Sequence, residues 1–261
     1  MTVMIHEIRR GCKAMLVWSA SVGGMILLCL MMFPEMKKEL GSLMNLFSAM
    51  GGFAAAFGMD KLNLGNVMGF YGIYAGAMLG IGSIFYGASL GIGMLSKEEK
   101  DHTAEFLLSH PISRNRVFLE KFLAAVLLLL MMNLIILAFA LVSFFVIGET
   151  PDWKRFWLFH GAQGMMQLEV LALCFGISAF LRRGSLSIGI GIASLLYFLG
   201  LVGNITEKAE AVKYITPYTY ADASRIISEG QVDLKLAGLG LLYGTALLIA
   251  GYLYYQKKDI Y

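Results

Sequence analysis

Phe122–Gly148 reads FLAAVLLLLMMNLIILAFALVSFFVIG, bounded by Lys121 and Glu149 and free of charge throughout. About 20 apolar residues suffice to carry a helix across roughly 30 Å of hydrocarbon. This segment is longer than that, so it decides the fold class: a helix that crosses a bilayer. The rest of the chain agrees. Of 261 residues, 58% are hydrophobic and 15% charged, and the mean hydropathy is +0.69. Soluble domains hold about 45–50% apolar and about 25% charged residues. A soluble globular enzyme is therefore excluded, and so is a disordered chain, which needs low hydrophobicity and high charge. The net charge of +3 provides no basic face, so no nucleic-acid partner is expected.

Working outward, charged residues divide the chain into six spans at about 14–34, 65–95, 121–147, 157–181, 185–204 and 236–256. The expected fold is an all-α membrane protein, one transmembrane domain over 1–261. Leu40–Met59 is also uncharged, but Ser42, Asn45, Ser48 and Gly52 recur at helical spacing opposite Leu43, Met44, Phe47 and Met50. That pattern reads as an interfacial amphipathic helix. With six spans and an inner N-terminus, 12 of the 21 Lys and Arg residues fall on the inside, in the shorter loops. This is the positive-inside bias, and a seventh span would erase it. Both termini are thus expected in the cytoplasm, with the chain in the cell membrane. Residues 1–13 carry Ile5 and Ile8 on one side and Arg9 and Arg10 on the polar side, as a helix lying on the inner leaflet would. The first span is too long for a cleavable signal peptide.

Within the spans, Gly72, Gly76 and Gly80, then Ser83, Gly87 and Gly91, then Gly240 and Gly244, follow small-xxx-small spacing that lets helix backbones approach closely. Glu169 is the one acidic residue deep in a span, and an ionisable group in lipid is a functional candidate by default. Gln163, Gln167 and Asn133 are the other polar candidates along a substrate path. His160 lies nine residues from Glu169, on the opposite side of a helix, so the two make no proton relay. Asn204-Ile-Thr206 fits a glycosylation sequon. Cys12, Cys29 and Cys174 are far apart and form neither a disulfide framework nor a metal cluster.

The inner loop between the second and third spans, Ser96-Lys-Glu-Glu-Lys-Asp-His-Thr-Ala-Glu-Phe-Leu-Leu-Ser-His-Pro-Ile-Ser-Arg-Asn-Arg116, is the most informative segment. Ser96 and Glu99 have capping-box spacing. Asp101 starts a short helix that Pro111 ends, and Ser113 caps the next span. Phe106, Leu107 and Leu108 sit among charges, an apolar patch of the kind a partner covers. The loop resembles the E-x-x-x-G-T-x-E-x-L-L-x-x-P-x-S-R segment of ABC transporter permeases of the type-two exporter family. Glu99, Thr103, Glu105, Leu107, Leu108, Pro111, Ser113 and Arg114 carry the match, and Lys121 matches the lysine that often opens the next span. His102 stands where glycine is usual.

The resemblance implies a coupling helix that docks on a separate ATPase subunit through Glu99, Thr103, Glu105, Phe106, Leu107, Leu108, Pro111 and Arg114. It also implies two permease copies, a homodimer, paired with two such ATPases. Segment 204–233, containing Thr216-Pro217-Tyr218, would form short re-entrant or capping helices at the outer mouth. No Gly-Lys dipeptide occurs in the chain, so it lacks a P-loop; ATP and Mg would be bound by the partner, and this chain would hold no cofactor or metal. The expected function is export of an amphipathic or hydrophobic substrate, such as a membrane-active or antimicrobial peptide or a drug. An ion-coupled secondary transporter and a non-transporting anchor or sensor are the alternatives. A membrane protease is disfavoured, because Glu98-Glu99 and His160 would lie at opposite faces of the bilayer.

Overall fold

The computed structural model describes residues 2–39, 51–100, 112–181, 186–205 and 207–258. Among them every regular element is helical. Helix α1 spans Thr2–Met31 and is followed by the short α2, Phe33–Lys38, with Pro34 in its first turn. Gly52–Ala56 forms α3. Val67–Met78 is α4, a π turn covers Leu79–Ser83, and Ile84–Lys100 is α5. Three long helices follow: α6 over Arg114–Ile147, α7 over Trp153–Ser178 and α8 over Leu186–Ile205. Two 3-10 turns, Glu207–Tyr214 and Pro217–Thr219, lead to α9, Ala223–Glu229, and α10 spans Leu234–Lys257.

The helix ends have local causes. Asn66, Ser113, Asp152, Asp222 and Asp233 each accept a backbone N–H of the first turn that follows, which satisfies donors that a helix start leaves free. Gly148 ends α6 at φ +69°, a conformation with little steric cost only for glycine. Ser113 therefore caps the third span as its sequence position indicates. Ser96 does not act as a cap. It lies inside α5, where its hydroxyl donates to Ile92 O at 2.7 Å, because the helix continues to Lys100 without a break.

The N-terminal segment also differs from expectation. Nothing interrupts α1 between Lys13 and Ala14, so residues 2–13 belong to the same rod as the first apolar span. At 1.5 Å per residue this helix is about 45 Å long, more than a hydrocarbon core is thick. Its buried stripe is Val3, Glu7, Met15, Ser19, Val22, Ile26 and Leu30, packed along α6, while Ile5 is 46% exposed and Arg9 and Arg10 face outward. Residues 40–50 of the amphipathic segment and residues 101–111 of the inner loop lie outside the described residues.

Among the described residues, five helical stretches are long and apolar enough to cross a membrane: Val3–Lys38, Val67–Glu98, Arg114–Ile147, Leu186–Ile205 and Leu234–Lys257. The 26-residue α7 differs in kind. His160, Gln163, Gln167 and Glu169 lower its hydropathy, and it occupies the middle of the bundle against α5 and α10. Apolar side chains of the outer helices point away from the protein, Phe145 at 86% exposure and Leu134 at 65%. A lipid phase is the solvent that suits such a surface. The small-residue stripes serve packing within the chain. A methyl group on Gly91 would fall 2.7 Å from Leu171 O, and one on Gly251 would fall 2.5 Å from Gly176 O.

Candidate functional site

Two polar constellations and one groove stand out among the described residues of this apolar bundle. The first joins α1, α5 and α6 where the inner loop begins and ends. Lys121, 1% exposed, donates to Glu7 Oε1 at 2.9 Å and to Met94 O at 2.8 Å, and it also pairs with Glu98. Lys97 pairs with the other oxygen of Glu7. Burying a carboxylate or an ammonium alone is prohibitive, so the members of this cluster require one another. Beside it, Glu120 accepts from Met4 N at 3.1 Å and from Arg116 Nε at 2.7 Å, which caps the first turn of α1 from α6.

Arg114 takes part in a neighbouring tie. Its guanidinium donates to Gln256 O at 3.1 Å and Lys258 O at 2.7 Å, at the carboxyl end of α10. Cations are favourable at helix C-termini. Lys258 in turn donates to Ala179 O and Leu181 O beyond the end of α7. Of the residues the sequence assigns to the coupling segment, Arg114 thus fastens helix ends together, and Glu99 is on the last turn of α5. Thr103, Glu105, Phe106, Leu107, Leu108 and Pro111 lie outside the described residues.

The second constellation follows α7. Tyr220 donates to Glu169 Oε2 at 2.8 Å, and a methyl group on Gly240 would fall 2.1 Å from the same oxygen. Asn133 Nδ2 donates to Gln167 Oε1 at 2.6 Å and to Leu129 O at 2.9 Å. Gln163 Nε2 donates to Ala221 O at 2.9 Å, and His160 Nε2 shares a hydrogen bond with Tyr71 OH at 2.8 Å. The four sequence candidates therefore point into the bundle, and Glu169 and His160 have separate partners. Their tyrosine partners escaped the sequence reading, because a tyrosine in an apolar run carries no sign of which residue its hydroxyl meets.

Tyr218 closes this region from the other side. Its hydroxyl donates to Gly80 O within the π turn, and Thr216 Oγ1 donates to Leu196 O of α8 at 2.8 Å. The Thr216-Pro217-Tyr218 segment thereby stitches α8 to the middle of the second long helix.

The third feature is a groove of about 390 Å³ between α1, α5 and α8. Trp18, Tyr86, Gly93 and Ile190 line it, and Glu7 and Lys97 of the ion cluster form one end. Ligand pockets run from about 300 to 1,000 Å³ with mostly apolar walls and few polar groups, and this groove is of that type.

A sequence model of the ABC-2 family transporter proteins matches residues 1–260. The chain belongs to the ABC-2 transporter family. No curated protein matches it. ABC-2 membership fits the helical architecture, and the chain is a multi-pass membrane protein; permeases of the ABC-2 family are transmembrane components rather than catalytic ones. ABC-2 permeases normally work with an ATPase subunit. Among the described residues no group of three or more His, Cys, Asp or Glu could hold a metal ion.

Proposed function

We propose that this ABC-2 permease is the transmembrane half of an ATP-driven exporter for an amphipathic or hydrophobic substrate, with all six long helical segments spanning the cell membrane. Two copies would pair with two ATPase subunits that bind ATP and Mg, and both termini would face the cytoplasm. One observation carries the reading: the groove and the buried ion cluster share Glu7, Met94 and Lys97. The inner loop leaves from α5 and re-enters at α6, the two helices that Lys121 clamps to α1. A push on the loop therefore bears on the end of the groove. Packed interiors transmit such strain, because they are dense and not freely deformable. The apolar walls and charged end suit a molecule with an apolar body and a polar head.

In this reading Phe106, Leu107 and Leu108 form the apolar contact with the ATPase. Leu107→Asp is expected to abolish co-purification of the ATPase while the permease still inserts. Undiminished binding would remove the loop from its coupling role. Cysteine labelling of Phe106→Cys from the outside of intact cells would overturn the topology.

A further inference from the structure

The groove between α1, α5 and α8 is narrow and has unlike ends. Glu7 and Lys97 lie at one end and Trp18 and Tyr86 at the other, so α1 and α5 pass each other in opposite directions along it. From Lys97 to Tyr86 a helix rises about 16 Å at 1.5 Å per residue. Spread over that length, a volume of about 390 Å³ makes a channel roughly 5 Å across. Carbon atoms in contact sit about 3.5–4.0 Å apart, so one hydrocarbon chain fits and two side by side do not. A helix with its side chains is about 10–12 Å wide, which excludes a helix of a second copy as the occupant. Ala14, Leu90, Gly93 and Ile190 make apolar walls, with Ser89 among them.

The charges at the ion-cluster end are unevenly turned toward this channel. Lys121 directs its N–H groups to Glu7, Met94 O and Glu98. Glu7 is 3% exposed, and each of its oxygens accepts from an ammonium. Lys97 differs. Its side chain is 19% exposed and lines the groove. One N–H goes to Glu7, and the other two make no hydrogen bond among the described residues. Arg10 lines the same end. The acid of the cluster is thus enclosed and engaged, and the charge that reaches the groove is positive.

We propose that the groove binds a single-chain amphiphile with an anionic head, its head on Lys97 and its chain laid along α5 to the Trp18 and Tyr86 rings. An anionic oxygen accepts the donors that Lys97 has left. An extended chain advances about 1.2 Å per bond, a third of the roughly 3.6 Å that the three bonds of a peptide residue span, so about a dozen carbons reach the aromatic end. The chain gains little over the bilayer, whose interior is as apolar as the groove. Head charge and chain length therefore decide what binds. The assignment rests on the export reading of this groove and deepens it by naming the substrate class.

The test uses the full chain in phosphatidylcholine nanodiscs, carrying Trp153→Phe and Trp157→Phe. Both rings are 53% exposed, and their removal leaves Trp18 as the sole tryptophan. 12-Bromododecanoate is titrated at about pH 8.5, where its carboxylate is ionised, and its bromine quenches an indole it touches. The comparison is 12-bromododecyltrimethylammonium, with the same chain and the opposite charge. Both also enter the bilayer, where quenching grows without a plateau, so the saturable part reports the groove. Bromododecanoate is expected to quench Trp18 saturably, reversed by plain dodecanoate, and the cationic probe to bind at least tenfold more weakly. Gly93→Phe fills the channel and should abolish the saturable part, and Lys97→Gln should weaken it at least tenfold while Lys97→Arg restores it. No saturable quenching, equal binding of the cationic probe, or parental binding in Gly93→Phe or Lys97→Gln would each overturn the assignment. Dodecanoate binding that leaves the turnover of the co-purified ATPase unchanged would instead refute the export reading and leave the occupant assigned.

Discussion

Replacing Lys121 with methionine removes the ammonium that holds Glu7, Glu98 and Met94 O together. Methionine keeps the length and the apolar stem, so packing changes little. Breaking a buried pair by deleting one partner costs about 3–5 kcal/mol, because the other charge is left uncompensated. Two features place this site near the lower end of that range. Glu7 retains Lys97, and Glu98 is 15% exposed and can turn to water. The expected loss is about 3 kcal/mol. For a protein of this size, each kcal/mol moves the melting temperature by roughly 2–4 °C, so the midpoint should fall by about 6–12 °C. The companion variant Glu7→Gln and the double variant complete a cycle. Residues in one network couple by about 0.5–3 kcal/mol, so the double variant should lose less than the sum of the two singles. The assay is thermal unfolding of purified protein in one detergent at fixed protein concentration. Strictly additive losses, or a fall under about 2 °C for Lys121→Met, would refute the claim that these residues act as one buried unit.

Other outcomes follow from the same geometry. Gly93 lines the groove, and a Cβ there meets nothing within 4 Å; Gly93→Phe should therefore block substrate-stimulated ATP turnover while leaving the melting temperature within about 2 °C, and unchanged turnover would remove the groove from the substrate path. Glu169→Gln retains an acceptor for Tyr220 and should fold normally but alter substrate-stimulated ATPase activity; transport and ATPase rates equal to those of the parent would make Glu169 a packing residue. Tyr218→Phe loses its hydrogen bond to Gly80 O, worth about 1 kcal/mol, and amide hydrogen exchange over residues 79–83 should quicken about fivefold relative to the middle of α6.

Much of the fold was legible because charges are scarce and their positions mark where helices leave the apolar phase. Glu149 and Asp233 stand beside the ends of α6 and α10 and Ser113 announced its cap, whereas Lys121 lies within α6, which begins at Arg114. The ends that misled were those where local signals compete with continuity. Ser96 and Glu99 have the spacing of a helix start, yet no Pro precedes them, and α5 runs through Gly91 and Gly93 without a break. Likewise Gly11 does not stop α1: the helix packs closely there, a methyl group on Gly11 falling 2.6 Å from Leu128 Cδ1, and the periodic burial of Val3, Glu7 and Met15 continues into the span. The candidate sites were legible in part. Glu169, Gln163, Gln167 and Asn133 stood out as polar residues in apolar runs, but their partners did not. The cluster around Lys121 was hidden, since its members come from three helices and Glu7 lies 114 positions from Lys121. One clue was available: Glu7 follows Val3 by four residues, on the same helical face, where a lone acid would be intolerable.

The π turn at Leu79–Ser83 changes the angular phase of everything beyond it. Holding one residue more than an α turn, it rotates the following half by about 100° relative to an uninterrupted helix. Gly72 and Gly76 consequently face Ile227 and Ala223, whereas Gly87 and Gly91 look toward Gln167 and Leu171. One rod thus presents two differently aimed smooth seams. Removing a single residue from that turn would swing the lower seam off its neighbour without altering any residue that lies in it.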